Sequence, residues 1–334
     1  MKKLINDPKN VVEEMVEGYV KAHPNFIRQL TENERALVTT RETRDGKVGI
    51  LIGGGSGHEP GFMGYVGDGM ADGVAVGNIF ASPSPDPILE VTKAIDKGAG
   101  VVYLYGNYAG DVMNFGMAAE MAELEEDIKV GVALATDDVA SAPKDEKEKR
   151  RGIAGEFFIF KAAGAAADFG YNLDEVVRVA NKANENTRSM GVGLSPCSLP
   201  QTGEPSFEIG DDEMEIGLGH HGEPGIEKGT IQSANNVADR LVNDILADIE
   251  INKGGKVAVL VNGLGSTPRM ELYITFRRVE QILKEKGIEI YRSYVGDYIT
   301  SLEMGGLSVT LMKLDDELIK TIDHPVDCPM FVQK

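Results

Sequence analysis

Three of the five histidines in this 334-residue chain sit in two glycine-rich turns. Residues 53–61 read GGGSGHEPG and residues 217–225 read GLGHHGEPG. Each follows an apolar stretch, and each sets histidine before Glu-Pro-Gly. A third turn, residues 106–111 (GNYAGD), follows the apolar run 101–105 and ends in Asp111. Histidine and aspartate can move protons, attack an electrophilic carbon or bind a metal. The glycines bare backbone N–H groups, so something small can come close, with Ser56 and His58 beside it. Turns that follow strands can converge at the carboxyl ends of those strands, where α/β ligand sites lie. The residue types leave three readings open: structural turns with satisfied histidines, a small-ligand site, or a His-His-Asp metal site. Spacing argues against metal, because the ligands would come from isolated turns with no H-x-x-x-H face. His23 and His324 read as surface residues.

The first turn does not read as a nucleotide cradle. A phosphate loop needs G-x-x-x-x-G-K-[ST], and no Lys-Ser/Thr follows here. The third glycine of the dinucleotide fingerprint is missing, and residues 62–73 (FMGYVGDGMADG) have no helical period. No aspartate cluster is recognisable as a Mg²⁺ site, so neither metal nor nucleotide is expected on this chain.

These side chains need a scaffold, and the sequence supplies an α/β pattern. Asp7-Pro8 and Asp86-Pro87 read as helix starts. Strands are expected over residues 48–52, 101–105, 128–135, 256–261, 288–295 and 307–314. Between and around them lie expected helices over 111–124, 154–169, 174–186, 233–249 and 267–286, and a short one from Asp315. An apolar stretch spans residues 214–218. Residues 140–152 (ASAPKDEKEKRRG) read as a charged, exposed loop. Strands alternating with helices indicate two α/β domains, each a mainly parallel or mixed sheet flanked by helices. A boundary near residue 190 divides the elements evenly: 1–190 would carry His58 and Asp111, and 191–334 would carry His221.

Bulk properties narrow the function classes. The net charge of −19 speaks against nucleic acid or an anionic membrane as partner. The 42% apolar content suffices for a real core. No apolar run approaches the roughly 20 residues of a membrane span. The start MKKLINDPKN lacks the apolar core of a secretory signal. Cys197 and Cys328 show neither disulfide nor metal spacing and read as buried thiols, and the cytoplasm is the expected location.

Six motifs together resemble the substrate-binding subunit of dihydroxyacetone kinase. They are GGGSGHEP, FASPSPD at residues 80–86, NYAGDVMNF at 107–115, GLGHHGEPG, NGLGSTPRMELY at 262–273 and TSLEMGGLSVTL at 300–311. They occur in family order along the whole chain. The resemblance implies that dihydroxyacetone binds in the first half while a histidine of the second half adds to its carbonyl, giving a hemiaminal. The pattern G-x-G-x-H-G-E-P-G places that residue at His221, with His220 at a variable position. It implies substrate contacts from Gly55, Ser56, Gly57, His58, Ser82 and Asp111, and gives His58 and Asp111 the deprotonation of the accepting hydroxyl. It also implies a homodimer, and a separate nucleotide-binding partner, the L subunit, that carries nucleotide and Mg²⁺. In many members that partner is recharged through the phosphotransferase system.

The chemistry is coherent on its own terms. Glycerol and dihydroxyacetone are nearly the same size, so packing discriminates poorly between them. Only a carbonyl accepts a nucleophile, so a covalent adduct selects ketoses and aldoses over polyols and fixes the hydroxyl for transfer. One departure from the family stands out. Members commonly read Lys-Asn-Tyr-x-Gly-Asp before the aspartate, and here the lysine position is Gly106. That substitution opens the choice of ketose to a four-carbon sugar such as erythrulose. Two other classes compete: a catalytically silent, dihydroxyacetone-sensing regulator, and a nucleotide-dependent oxidoreductase, which the failed fingerprint disfavours.

Overall fold

The Asp-Pro pair at residues 7–8 starts a turn rather than a helix. In the structure, a computed structural model that describes residues 2–334, Asp7 Oδ1 accepts from the Lys9 amide (2.9 Å). Helix α1 (Val11–Ala22) begins after that turn and buries Val12 and Val16. Strands β1 (Ile27–Gln29) and β2 (Ala36–Thr39) follow. They are too short to show the alternation by which a strand is read from sequence. Strand β3 (Gly49–Ser56) does not stop where the apolar run stops; it carries on through Gly53, Gly54 and Gly55. Residues 62–73, which lack a helical period, lead into β4 (Gly73–Ile79). Then come α2 (Pro85–Ile95), β5 (Val101–Gly106), α3 (Ala109–Glu125) and β6 (Val130–Ala135). These strands form one six-stranded sheet in the order β1-β2-β4-β3-β5-β6. The last four are mutually parallel, while β1 and β2 run antiparallel at one edge.

Helices α4 (Glu156–Asp168) and α5 (Leu173–Glu185) precede a second group of strands. That group comprises β7 (Thr187–Ser195), β8 (Glu213–Ile216), β9 (Glu227–Thr230), β10 (Lys256–Gly263), β11 (Glu289–Gly296) and β12 (Gly305–Leu314). Helices α6 (Ala234–Asp248) and α7 (Arg269–Glu285) are interspersed, and Ser233 caps α6 by accepting from the Asn236 amide. The sheet order is β11-β10-β12-β7-β8-β9, with only β10 and β11 parallel. Helix α8 (Asp316–Asp323) and the small hairpin β13 (Val326–Asp327) and β14 (Val332–Gln333) complete the chain. The two-domain α/β class expected from the sequence is therefore what forms. Strand β10 is buried along almost its whole length, which is why it reads as a continuous apolar run.

The expected boundary at residue 190 does not coincide with the compact units. One unit comprises Lys2–Ala135, Ile159–Lys182 and Lys320–Lys334; the other comprises Thr136–Phe158 and Ala183–Ile319. A cut at 190 would split β7, which is hydrogen-bonded between β12 and β8. Residues 136–158 belong with that strand because the Ser189 amide donates to the Asp137 carbonyl (2.8 Å) and the Val139 amide to the Ser189 carbonyl (3.0 Å).

The start of β3 is pinned by a buried ion pair. Lys47 Nζ lies 2.7 and 2.9 Å from the two oxygens of Asp72, and the Ile50 amide donates to Asp72 Oδ2 (2.9 Å). Removing one partner of such a pair strands the other charge, at a cost of roughly 3–5 kcal/mol. Lys47→Met should lower the urea-unfolding free energy by about that amount, and Lys47→Met/Asp72→Leu should recover most of it. A loss in the single variant of under about 1 kcal/mol, the range of an exposed pair, would contradict this placement.

Candidate functional site

In the first unit the candidate residues gather at one edge of the sheet. Strand β3 has β4 on one side and β5 on the other, all parallel, so chain order reverses at β3. Ligands of open α/β sheets bind outside the carboxyl ends of strands at such a reversal. The turns after β3 and β4 carry His58 and Ser82, and α3, which follows β5, carries Asp111 in its first turn. The glycines are there because neighbours come close. A Cβ on Gly54 would lie 2.6 Å from Phe62 Cε2, and one on Gly55 would lie 2.7 Å from the Ala81 amide nitrogen. Ser56 Oγ donates to the Gly77 carbonyl (2.7 Å), so what it offers a ligand is an acceptor. The Glu59 carboxylate accepts from the Gly57 amide (3.1 Å), and burial pushes the Glu59 carboxyl up. His58 is buried, its ring stacked 5.2 Å from Phe80 and edge-on to Phe62 at 6.2 Å.

Helix α3 brings Asp111 to the same edge. A Cβ on Gly110 would touch the Ser82 side chain at 3.4 Å, and Asn114 Nδ2 donates to the Pro83 carbonyl (2.8 Å). The helix is thus tied to the turn that holds Ser82 and Phe80. Asp111 is buried in the first turn of α3, where the helix dipole favours a carboxylate. The Tyr105 hydroxyl is pushed up to about 12, by burial first and then by the Asp111 charge.

In the second unit the turn after β8 separates its two histidines. His220 is buried at 5% exposure, and its carbonyl accepts from Ser301 Oγ. The His221 side chain keeps 24% exposure. The Glu223 carboxylate accepts from the His221 amide (2.9 Å) and faces His221 Nδ1 (3.0 Å). Arg151 approaches from the other side, its Nη1 3.7 Å from Glu223 Oε2. Arg151 is itself held by Asp138 Oδ2, through Nε (3.1 Å) and Nη2 (2.9 Å). Burial works to raise the Glu223 carboxyl, but the His221 hydrogen bond and the charges of His221 and Arg151 outweigh it and hold the group well below the usual range. An ionised carboxylate can only accept, so Nδ1 carries the proton and, in the neutral ring, Nε2 carries the lone pair.

The chain matches the Dak1 domain over residues 17–330. It belongs to the Dak1 family. Relatives include the dihydroxyacetone-binding subunit DhaK of PTS-dependent dihydroxyacetone kinase 2 from Listeria innocua, 49% identical over 99% of each chain. An L-erythrulose kinase of Pectobacterium atrosepticum is 43% identical over 98% of this chain and 56% of its own length. Among solved structures, a dihydroxyacetone kinase operon co-activator superposes with a TM-score of 0.88 at 32% identity, covering 96% of this chain and 98% of its own.

Within this Dak1 chain, Ser56, His58, Ser82 and Asp111 share one sheet edge, while His221 lies in the other compact unit. Two expectations about the surroundings are corrected. His324 is no plain surface residue, since its Nε2 lies 2.8 Å from Asp168 Oδ2. Residues 140–152 are not simply exposed: Arg150 is buried against Asp248, and Arg151 runs to Asp138 and Glu223. The two glycine turns also differ in register. In each, the glutamate accepts from the amide two residues before it, Gly57 in one and His221 in the other. Phe62, Phe80, Glu59, Glu223, Arg151 and Asp138 were all missed by sequence reasoning. The shared Glu-Pro-Gly was the available signal for the two glutamates. No membrane-spanning candidate occurs among the helices of the described residues.

Asp138 supplies a pH test. Burial, opposed by Arg151, pushes its carboxyl up from 3.8 to about 6. A folded value above the unfolded one means that the protonated form stabilises the fold. That contribution is complete below pH 3.8 and is lost as pH rises through about 6. At about 1.4 kcal/mol per pH unit, the gap in unfolding free energy between parent and Asp138→Asn should change by roughly 2 kcal/mol between pH 4 and pH 7. Urea titrations at the two pH values measure it, and a gap independent of pH would refute it.

Proposed function

We propose that this chain is the substrate-binding and catalytic subunit of a dihydroxyacetone kinase. The observation that carries the reading is the Glu223 carboxylate at His221 Nδ1, which leaves Nε2 as the nucleophile. In this reading Nε2 adds to the ketone carbon and holds the sugar as a hemiaminal. His58 and Asp111 then take the proton from the hydroxyl that receives the phosphoryl group. His221 is the more exposed of the two histidines of its turn, which supports its assignment to the covalent role. The donor would come from a separate nucleotide-binding subunit, in keeping with the printed name of the Listeria relative as one subunit of a PTS-dependent kinase. A homodimer and a cytoplasmic setting belong to the same reading. Having His58, Asp111 and His221 together favours catalysis over the co-activator role named for the structural relative.

Mass spectrometry of the intact protein with dihydroxyacetone tests the covalent step. The parent and His220→Ala should gain the mass of the sugar, while His221→Ala should not. Asp111→Asn should keep the adduct yet lose roughly 10²–10⁴ in turnover with the nucleotide-binding subunit supplied, the value of one positioned base. An adduct that survives in His221→Ala would refute the assignment.

Gly106 favours a second substrate. It is the last residue of β5 and lies at the same sheet edge as Asp111, where the family lysine would add a donor and a long stem. Erythrulose kinases are among the relatives at 42–43% identity. The reading is that loss of the lysine opens room for a fourth carbon. The ratio of kcat/KM for dihydroxyacetone over erythrulose should rise about tenfold or more in Gly106→Lys, the value of one hydrogen bond to a charged donor. A ratio that is already steep and does not move would mean that another residue has taken the lysine's place.

A further inference from the structure

Between Asp138 and His221 the second unit sets four side chains in a row of alternating charge: Asp138, Arg151, Glu223 and the imidazole. Asp138 and Arg151 have no role in the function proposed above. Asp138 is almost wholly buried, and its Oδ2 accepts two hydrogen bonds from Arg151. The guanidinium is thereby fixed at one end while its Nη1 reaches Glu223 at the other. The turn is shaped around that contact. A Cβ on Gly219 would fall 2.3 Å from Glu223 Oε2 and 2.5 Å from Arg151 Nη1, so a side chain there must displace one or both of these side-chain ends. Gly219 has no other conformational demand, because it is absent from the residues with positive φ.

We propose that Arg151 is a positioning residue that anchors the Glu223 carboxylate against Nδ1 of His221 and so fixes which ring nitrogen can bond to a carbonyl. The inference rests on the reading of His221 as the covalent residue. The step balances as follows. The Nε2 lone pair forms the N–C bond while the carbonyl π pair moves onto oxygen, which takes a proton from water. The Nδ1 proton passes to Glu223 and from there to the hydroxide left in solution, so the product is a neutral hemiaminal. Once Nδ1 has lost its proton, the ring no longer donates to Glu223. Arg151 is the cation that still holds the carboxylate in place, ready to return the proton when the adduct reverses. A carboxylate released from Nδ1 would let the neutral ring take either tautomer, and the share with its proton on Nε2 cannot attack.

Two readouts on the full chain test this, one of them independent of any adduct. The ¹⁵N shifts of the His221 ring, assigned with His221→Ala, report its tautomer in the ligand-free protein. The parent should show the form with the proton on Nδ1; Arg151→Met and Gly219→Ala should show a mixture, and Arg151→Lys should restore part of the parent state. Gly219→Ala matters because its methyl group displaces the Glu223 or Arg151 end without removing a polar group, so the test survives even where Arg151→Met does not fold. The second readout is the dihydroxyacetone concentration for half-maximal adduct by mass spectrometry. It should rise in both variants by the reciprocal of the share of rings still protonated on Nδ1, about 2- to 5-fold for shares of about one-half to one-fifth. A parent tautomer retained in Arg151→Met or in Gly219→Ala overturns the inference. If the parent forms no adduct, the covalent reading of His221 fails, and the ring shifts still decide whether Arg151 anchors Glu223.

Discussion

A neutral imidazole offers a lone pair on only one nitrogen, and the group facing the other nitrogen decides which. In the second unit that group is Glu223, and much of the local structure serves to keep it where it is. Its Oε2 takes the His221 amide while its Oε1 faces the ring, so one carboxylate sets both the backbone and the side chain of the same residue. Gly222 makes this turn possible by taking φ of +86°, a value that favours glycine. Behind the carboxylate, Arg151 and Asp138 supply charge from residues distant in sequence.

The first unit solves a different problem, which is to bring turns from several strands to one place. The reversal of strand order at β3 does this with backbone topology alone. Side chains then refine it. Phe80 takes φ of +55°, a conformation that costs a non-glycine residue roughly 1–3 kcal/mol, and the Phe80 amide is held by the Ser56 carbonyl at 3.0 Å. The ring that results stacks on His58. A flat aromatic face against an imidazole fixes the plane of its ring.

The two Glu-Pro-Gly turns show how far a shared motif carries. Both use the glutamate to accept an amide two residues upstream, a local device that needs only the sequence of the turn. In residues 53–61 the histidine adjoins the glutamate and leans on aromatic rings; in residues 217–225 one glycine intervenes, and the second histidine faces the carboxylate. One residue of register separates a histidine buried among phenylalanines from one whose Nδ1 is committed and whose ring is partly open to solvent.

Much of this was legible in the sequence. The strand-then-glycine turns, the α/β class and the helix boundaries at Ser233 and Pro268 all follow from patterns a few residues long, whereas His221 is singled out only by resemblance to a family. Such patterns reflect local backbone sterics and periodic burial, which each segment decides for itself. What the sequence left undecided were pairings across distance. Strands β1, β2, β4 and β7 carry weak or glycine-broken patterns, and their place depends on which neighbours complete their hydrogen bonds. The charged run 140–152 looks solvated because charge runs usually are; only the fold supplies Asp248 for Arg150 and Glu223 for Arg151. A buried ion pair is a property of two segments at once, so no reading of either segment alone could find it.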